Sequence, residues 1–191
     1  MFAQDPESWV RREYGAQSLA DAVRRLVPAA EVTVVAGTGV RDDQPRDIPA
    51  AVEAAQAADV VILALGGRSG LFQKGITEGE ASNTADIELP TCQVELVKAV
   101  AATGVPAVGV VYTGRPMAVT KIVDSLPALL WGYYGGQAAG AAMTNVIFGE
   151  TTPGGKLPYS IPRHSGQVPV YYSPKNGSGY RTTSLEQELR Q

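Results

Sequence analysis

The chain has 191 residues, 45% of them hydrophobic and 18% charged, with a formal net charge of −3; at roughly 100–200 residues per domain it holds one domain with a tail and excludes a second full domain. The acidic balance and the scattered Lys and Arg provide no basic stripe to neutralise a phosphate backbone, so nucleic acid is excluded as a partner. A single Cys and a single His permit neither an internal disulfide nor a Cys/His zinc site, and no cofactor or structural metal is expected.

In chain order, Leu19, Val23, Leu26 and Val27 recur at helical spacing behind Ser18 or Gln17, predicting a first helix that stops at Pro28. Residues 31–35 are β-branched and short, closed by Gly37 and Gly39, and read as a strand. Residues 48–58, with Pro49 in the first turn, read as a second helix. Residues 59–65 are continuously apolar rather than alternating, the pattern of a strand buried on both faces of a parallel sheet. After a long connection come a helix at 91–102, a buried strand at 107–112, a short helix at 116–123, a third buried strand at 128–133 and a small-residue helix at 138–148. Strands alternating with helices of this length define an α/β domain, a three-layer sandwich whose mostly parallel sheet carries helices on both faces.

Beyond residue 149 the texture becomes turn-rich. Residues 157–161 offer only a short edge strand, because Pro158 lacks a ladder donor. The polar stretch 184–191 reads as a frayed end, so the domain is expected over residues 1–172, with an irregular tail at 173–191. The longest apolar run is far below the ~18 residues of a membrane span, so no membrane partner is expected. The first seven residues lack the basic region of an export signal, which places the chain as given in the cytoplasm and leaves the compartment of a parent enzyme open.

The chemistry concentrates in the connection 66–90, well past the 12–15 residues above which a structureless link is usually functional or disordered. It leaves the carboxyl end of a parallel strand, where open α/β sheets place their ligand crevices. Glu78 and Glu80 flank Gly79 near its middle. On residue type alone such a pair is a solvated surface; a catalytic role requires one carboxyl to donate a proton near neutral pH. Gly66 and Gly67 suit close approach to a phosphate, but no G-x-G-x-x-G opens a helix and no Walker Lys-Ser/Thr follows, so nucleotide binding is a minor alternative. His164, among turn residues, reads as a surface imidazole rather than a triad base, and Cys92 as a small packing residue. Trp131, Tyr133, Tyr134, Tyr171 and Tyr172 are by default packing aromatics, with sugar stacking as the functional alternative.

Seven segments taken together resemble the second domain of glycoside hydrolase family 3, the β-glucosidase and β-xylosidase family. They are DVVILALGG at 59–67, TEGEA at 77–81 with DIELP at 86–90, QVELV at 93–97, VVYTGRP at 110–116, WGYYGGQ at 131–137, FGETTPGGKLP at 148–158, and SIPR at 160–163 with PVYY at 169–172. Their order and spacing agree over about residues 16–172. The resemblance implies a sandwich of five to six strands and a retaining mechanism on a β-linked glucoside or xyloside. An aspartate nucleophile would come from a preceding barrel, and the acid/base glutamate from the long loop of this domain. The Gly-Glu, Asp, Leu-Pro order of the family maps onto Gly79-Glu80, Asp86 and Leu89-Pro90, which makes Glu80 the expected acid/base residue with Glu78 in reserve. The 191 residues hold no barrel, so the resemblance also implies a chain inactive alone, completed by a separate barrel-containing chain or a homo-oligomer. The competing class is a noncatalytic sugar-binding or protein-assembly module.

Overall fold

The computed structural model describes residues 6–70, 74–167, 170, 171 and 173. It opens with a helix that the periodicity argument passes over, α1 (Pro6–Tyr14). Its signals are terminal rather than periodic: Pro at the first helical position, Arg11 and Arg12 in the last turn, and Gly15 at φ +64 just past the end, the left-handed residue that commonly closes a helix. Helix α2 (Leu19–Leu26) begins at Ser18 with a reciprocal cap, Asp21 N–H donating to Ser18 Oγ at 3.2 Å and Ser18 N–H to the Asp21 carboxylate at 3.4 Å. Helix α3 (Ile48–Gln56) is capped by Asp47, which accepts from Ala50 N–H at 3.1 Å, with Pro49 in its first turn.

The expected alternation follows: β1 (Val61–Gly66), α4 (Thr91–Ala101), β2 (Ala107–Tyr112), α5 (Thr120–Val123), β3 (Ala128–Trp131) and α6 (Ala139–Ile147). The strands form a parallel sheet in the order β1-β2-β3, with Val61 opposite Ala107 and Val108 opposite Ala128. This register sets Leu63, Leu65 and Val111 on the face that carries the main core, where they join Val94, Val97 and Val100 of α4, Ala55 of α3 and Ile122 of α5. Gly109 lies on the same face, opposite Leu63, and Leu129 and Leu126 fill the space a side chain would take; a Cβ there would sit 2.6 Å from Leu129 Cδ1. On the opposite face burial falls from the fully enclosed Val110 to the exposed Ala64. Helices α2 and α6 pack on each other, with α6 so close that a Cβ on Gly140 would meet Gln17 O at 2.4 Å.

Three expectations are corrected. Residues 31–35 form no ladder: Val34 is 68% exposed, the Arg24 guanidinium donates to Val32 O, and just beyond them Gly37 O accepts from Asp47 N–H. β-branched propensity makes a strand only where a neighbouring strand supplies bonds and packing. Residues 157–161 likewise join no strand. The helix expected at 116–123 is confined to Thr120–Val123, because Ala118 pairs with the preceding loop, donating to Ile87 O at 2.9 Å and accepting from Leu89 N–H at 3.2 Å. Three strands are therefore found among the described residues, in a parallel sheet flanked by helices. The stretch expected to fray, 184–191, lies outside the described residues, as does all of the expected tail beyond Ser173.

Candidate active site

All three parallel strands end on one side of the sheet, and the segments that follow them meet there. β1 ends at Gly66, whose φ of +122 turns the chain so tightly against β2 that a Cβ would lie 2.0 Å from Tyr112 O; only glycine fits. The buried Gln93 of α4 locks this corner by accepting from Gly66 N–H at 2.8 Å and donating to Gly66 O at 2.8 Å.

The connection 66–90 then doubles back. Arg68 N–H donates to Thr77 Oγ1 and Thr77 N–H to Arg68 O, each at 2.8 Å, zipping the outgoing arm to the returning one. Between the returning arm and the sheet lies Glu78, 2% exposed and the one buried acidic residue among the described residues. Its carboxylate accepts from Thr113 Oγ1 at 2.6 Å and Gly114 N–H at 2.8 Å after β2, and from the Tyr134 hydroxyl after β3. Arg115 Nε stands 3.4 Å away. Burial, then donation to Glu78, holds the Tyr134 phenol protonated well above its usual range. Gly67 supplies the space: a Cβ there would lie 2.6 Å from the Glu78 carboxyl carbon.

Glu80 is placed quite differently. Residues 79–82 form a turn closed by Ser82 N–H donating to Gly79 O at 3.1 Å, and Glu80, in its second position, is exposed. Ala81, in the third position, has φ +62, the left-handed geometry of a type II turn, which L side chains adopt at some cost. The far end of the connection is tied by Asp86, which accepts from Glu88 N–H and Ser165 Oγ, each at 2.9 Å. These bonds, the Glu88 amide first, pull the Asp86 carboxyl below its ordinary range.

Beside this connection lies an open cleft of 440 Å³, bordered by Arg41, Asp42, Asp86, Arg115 and Lys121 and by the apolar Leu89 and Pro90. Its cations already have partners, Arg41 with Asp43 at 2.7 Å, Lys121 with Glu88, and Arg115 with Glu78, and Glu80 does not border it. Asp42 also accepts from Cys92 N–H at 2.6 Å, capping α4 from a distant turn where Pro90 provides no side-chain cap. That bond, the largest cause, lowers the Asp42 carboxyl. Among the described residues no cluster of three or more His, Cys, Asp or Glu is placed to hold a metal ion, and no helix is long and apolar enough to cross a membrane.

The remaining sequence candidates separate cleanly. His164 is exposed, its Nδ1 accepting from Gly166 N–H at 3.1 Å. Cys92 is fully buried, and burial pushes its thiol up. Tyr134 is brought to the Glu78 carboxylate, whereas Trp131, Tyr133 and Tyr159 form a neighbouring cluster. In that cluster Trp131 Nε1 donates to Tyr159 Oη at 2.9 Å, and Tyr159 is pushed up to about 12, chiefly by burial. Tyr171 is 67% exposed, and Tyr172 lies outside the described residues. The residues missed by sequence reasoning are Thr113 and Arg115, whose importance rests on partners in another connection.

Comparison with known proteins identifies the family. The glycosyl hydrolase family 3 C-terminal domain matches residues 5–188. The chain is 37% identical over 156 residues to a beta-xylosidase of Formosa agariphila, covering 81% of this chain and 21% of that one. It is 42% identical over 129 residues to the periplasmic beta-glucosidase of Salmonella typhimurium, covering 68% and 16% respectively. Among solved structures, a beta-glucosidase from Listeria innocua in complex with isofagomine superimposes with a TM-score of 0.74 at 32% identity, over 92% of this chain and 23% of that enzyme. The chain thus spans about a fifth of the length of these relatives.

Proposed function

The chain belongs to glycosyl hydrolase family 3 as its C-terminal domain, and from that premise we propose that it serves a retaining β-glycosidase acting on β-glucosides or β-xylosides, with Glu80 as acid/base residue. The observation that carries this reading is the contrast at 78–80. One carboxylate is consumed by internal donors, while the next is presented at the exposed tip of a turn on the side where all three strands end. In this role Glu80 protonates the departing glycosidic oxygen and later removes a proton from the attacking water. An aspartate from a barrel, lying about 5–5.5 Å from it, attacks the anomeric carbon. Completion of the sheet to five or six strands, and inactivity of the chain without a barrel, belong to the same reading.

The test is hydrolysis of chromogenic β-glucosides and β-xylosides by the chain mixed with a barrel-only polypeptide of the family, with and without Glu80→Ala. Loss of general acid catalysis costs about 10²–10⁴-fold on a glycoside with a poor leaving group. It costs far less on a dinitrophenyl glycoside, whose leaving oxygen needs no proton. Turnover indifferent to the substitution on both substrates removes Glu80 from the mechanism.

A further inference from the structure

We propose that Glu78 is the positioning residue for Glu80, the internal carboxylate that sets where the exposed one is presented; the proposal rests on the reading of Glu80 given above. Glu78 collects donors from the segments after β2 and β3 while sitting on the segment after β1, so one side chain registers all three strand exits against one another. Thr113, Gly114 and Tyr134 all donate hydrogens to it, with the Arg115 guanidinium paired beside it at 3.4 Å, which matches a group with acceptor oxygens only. A single residue separates it from Glu80, and that residue, Gly79, has φ +98 and passes so close to Ser69 that a Cβ would lie 2.4 Å from Ser69 Oγ. The turn that follows holds Ala81 at positive φ, a conformation that persists only where the surroundings enforce it. Enforcement on the amino-terminal side of the turn comes from Glu78, backed by the pairing of Thr77 with Arg68.

The same geometry supplies two orthogonal ways of disturbing the anchor. Glu78→Gln keeps the shape but puts an amide NH₂ among groups that all donate. Gly67→Ala replaces no polar group and drives a methyl to 2.6 Å from the Glu78 carboxyl carbon and 2.8 Å from Thr77 Oγ1, pressing on both supports of the turn. Should either variant not fold, Tyr134→Phe removes a single donor.

Two measurements decide the matter. In the isolated chain, exchange of the Ser82 amide, which closes the turn on Gly79 O, is expected to rise about tenfold or more in both variants, with α4 and β2 protected as before; unchanged exchange at Ser82 overturns the proposal, whatever the activity. In the mixture with a barrel polypeptide, the variants are expected to lose about tenfold in kcat/KM on a phenyl glycoside and only about twofold on the dinitrophenyl glycoside, a weaker copy of Glu80→Ala. Equal losses on the two glycosides make Glu78 a purely structural residue and overturn the proposal even if exchange rises. If Glu80→Ala itself shows no dependence on the leaving group, the acid/base reading fails by its own control, and the exchange data alone decide whether Glu78 holds the turn.

Discussion

Residues 66–90 and residues 29–37 exchange the roles that their compositions suggest. The first is rich in Gly and polar residues, yet contains the most enclosed carboxylate of the described chain, zipped backbone arms and a turn held at positive φ. The second is β-branched and apolar, yet contains no ladder and leaves Val34 largely in water. The difference teaches that order here follows the supply of partners. The long connection has the ends of three strands to bond to, while the apolar stretch has side chains fit for a sheet but no adjacent strand pairing with it.

The sharpest way to break this contrast is Glu78→Ala. Removing one member of a buried charged network leaves donors without acceptors and is expected to cost about 3–5 kcal/mol, read as a lower urea midpoint. A loss below about 1 kcal/mol would mean that the connection is as loosely held as residues 29–37.

An intermediate effect is expected for Asp42→Ala, which uncaps α4 from a distance and should cost about 1 kcal/mol. Its pH signature has a definite sign. Asp42 and Asp86 have carboxyl groups lowered in the folded chain, so their contribution is present above the unfolded value near pH 4 and disappears as pH falls through the lower folded values. Urea midpoints measured from pH 6 downward should therefore fall in the acid range for the parent chain, and less steeply for Asp42→Asn. The smallest effect is expected for Val34→Ser, within about 0.5 kcal/mol of zero. A loss above about 1 kcal/mol would show that Val34 is packed in solution, and would erase the distinction between the two regions.

What could be read beforehand follows the range of the forces involved. The three strands announce themselves through unbroken apolar runs of four to six residues, although only β2 is closely buried along its length: Ala64 of β1 is exposed, and β3, expected as a buried strand over 128–133, stops at Trp131 with no fully buried residue. Helix α2 was legible through Ser18, a cap that acts within three residues. Helix α1 was legible in principle through Pro6 and Gly15, although its apolar spacing is poor. Glu78 could be named as a candidate but not recognised as buried, since its partners lie 35 to 56 residues further along the chain. The failed strand at 31–35 is the same lesson inverted: propensity is local, whereas pairing is not.

The placement of Cys92 has a practical consequence. As the sole thiol of the chain, with its sulfur against Gly39 O and its amide on Asp42, it can meet an alkylating reagent only when the start of α4 and the 38–47 turn come apart. Labelling kinetics at this one atom would serve as a built-in clock for that opening, with no engineered probe required.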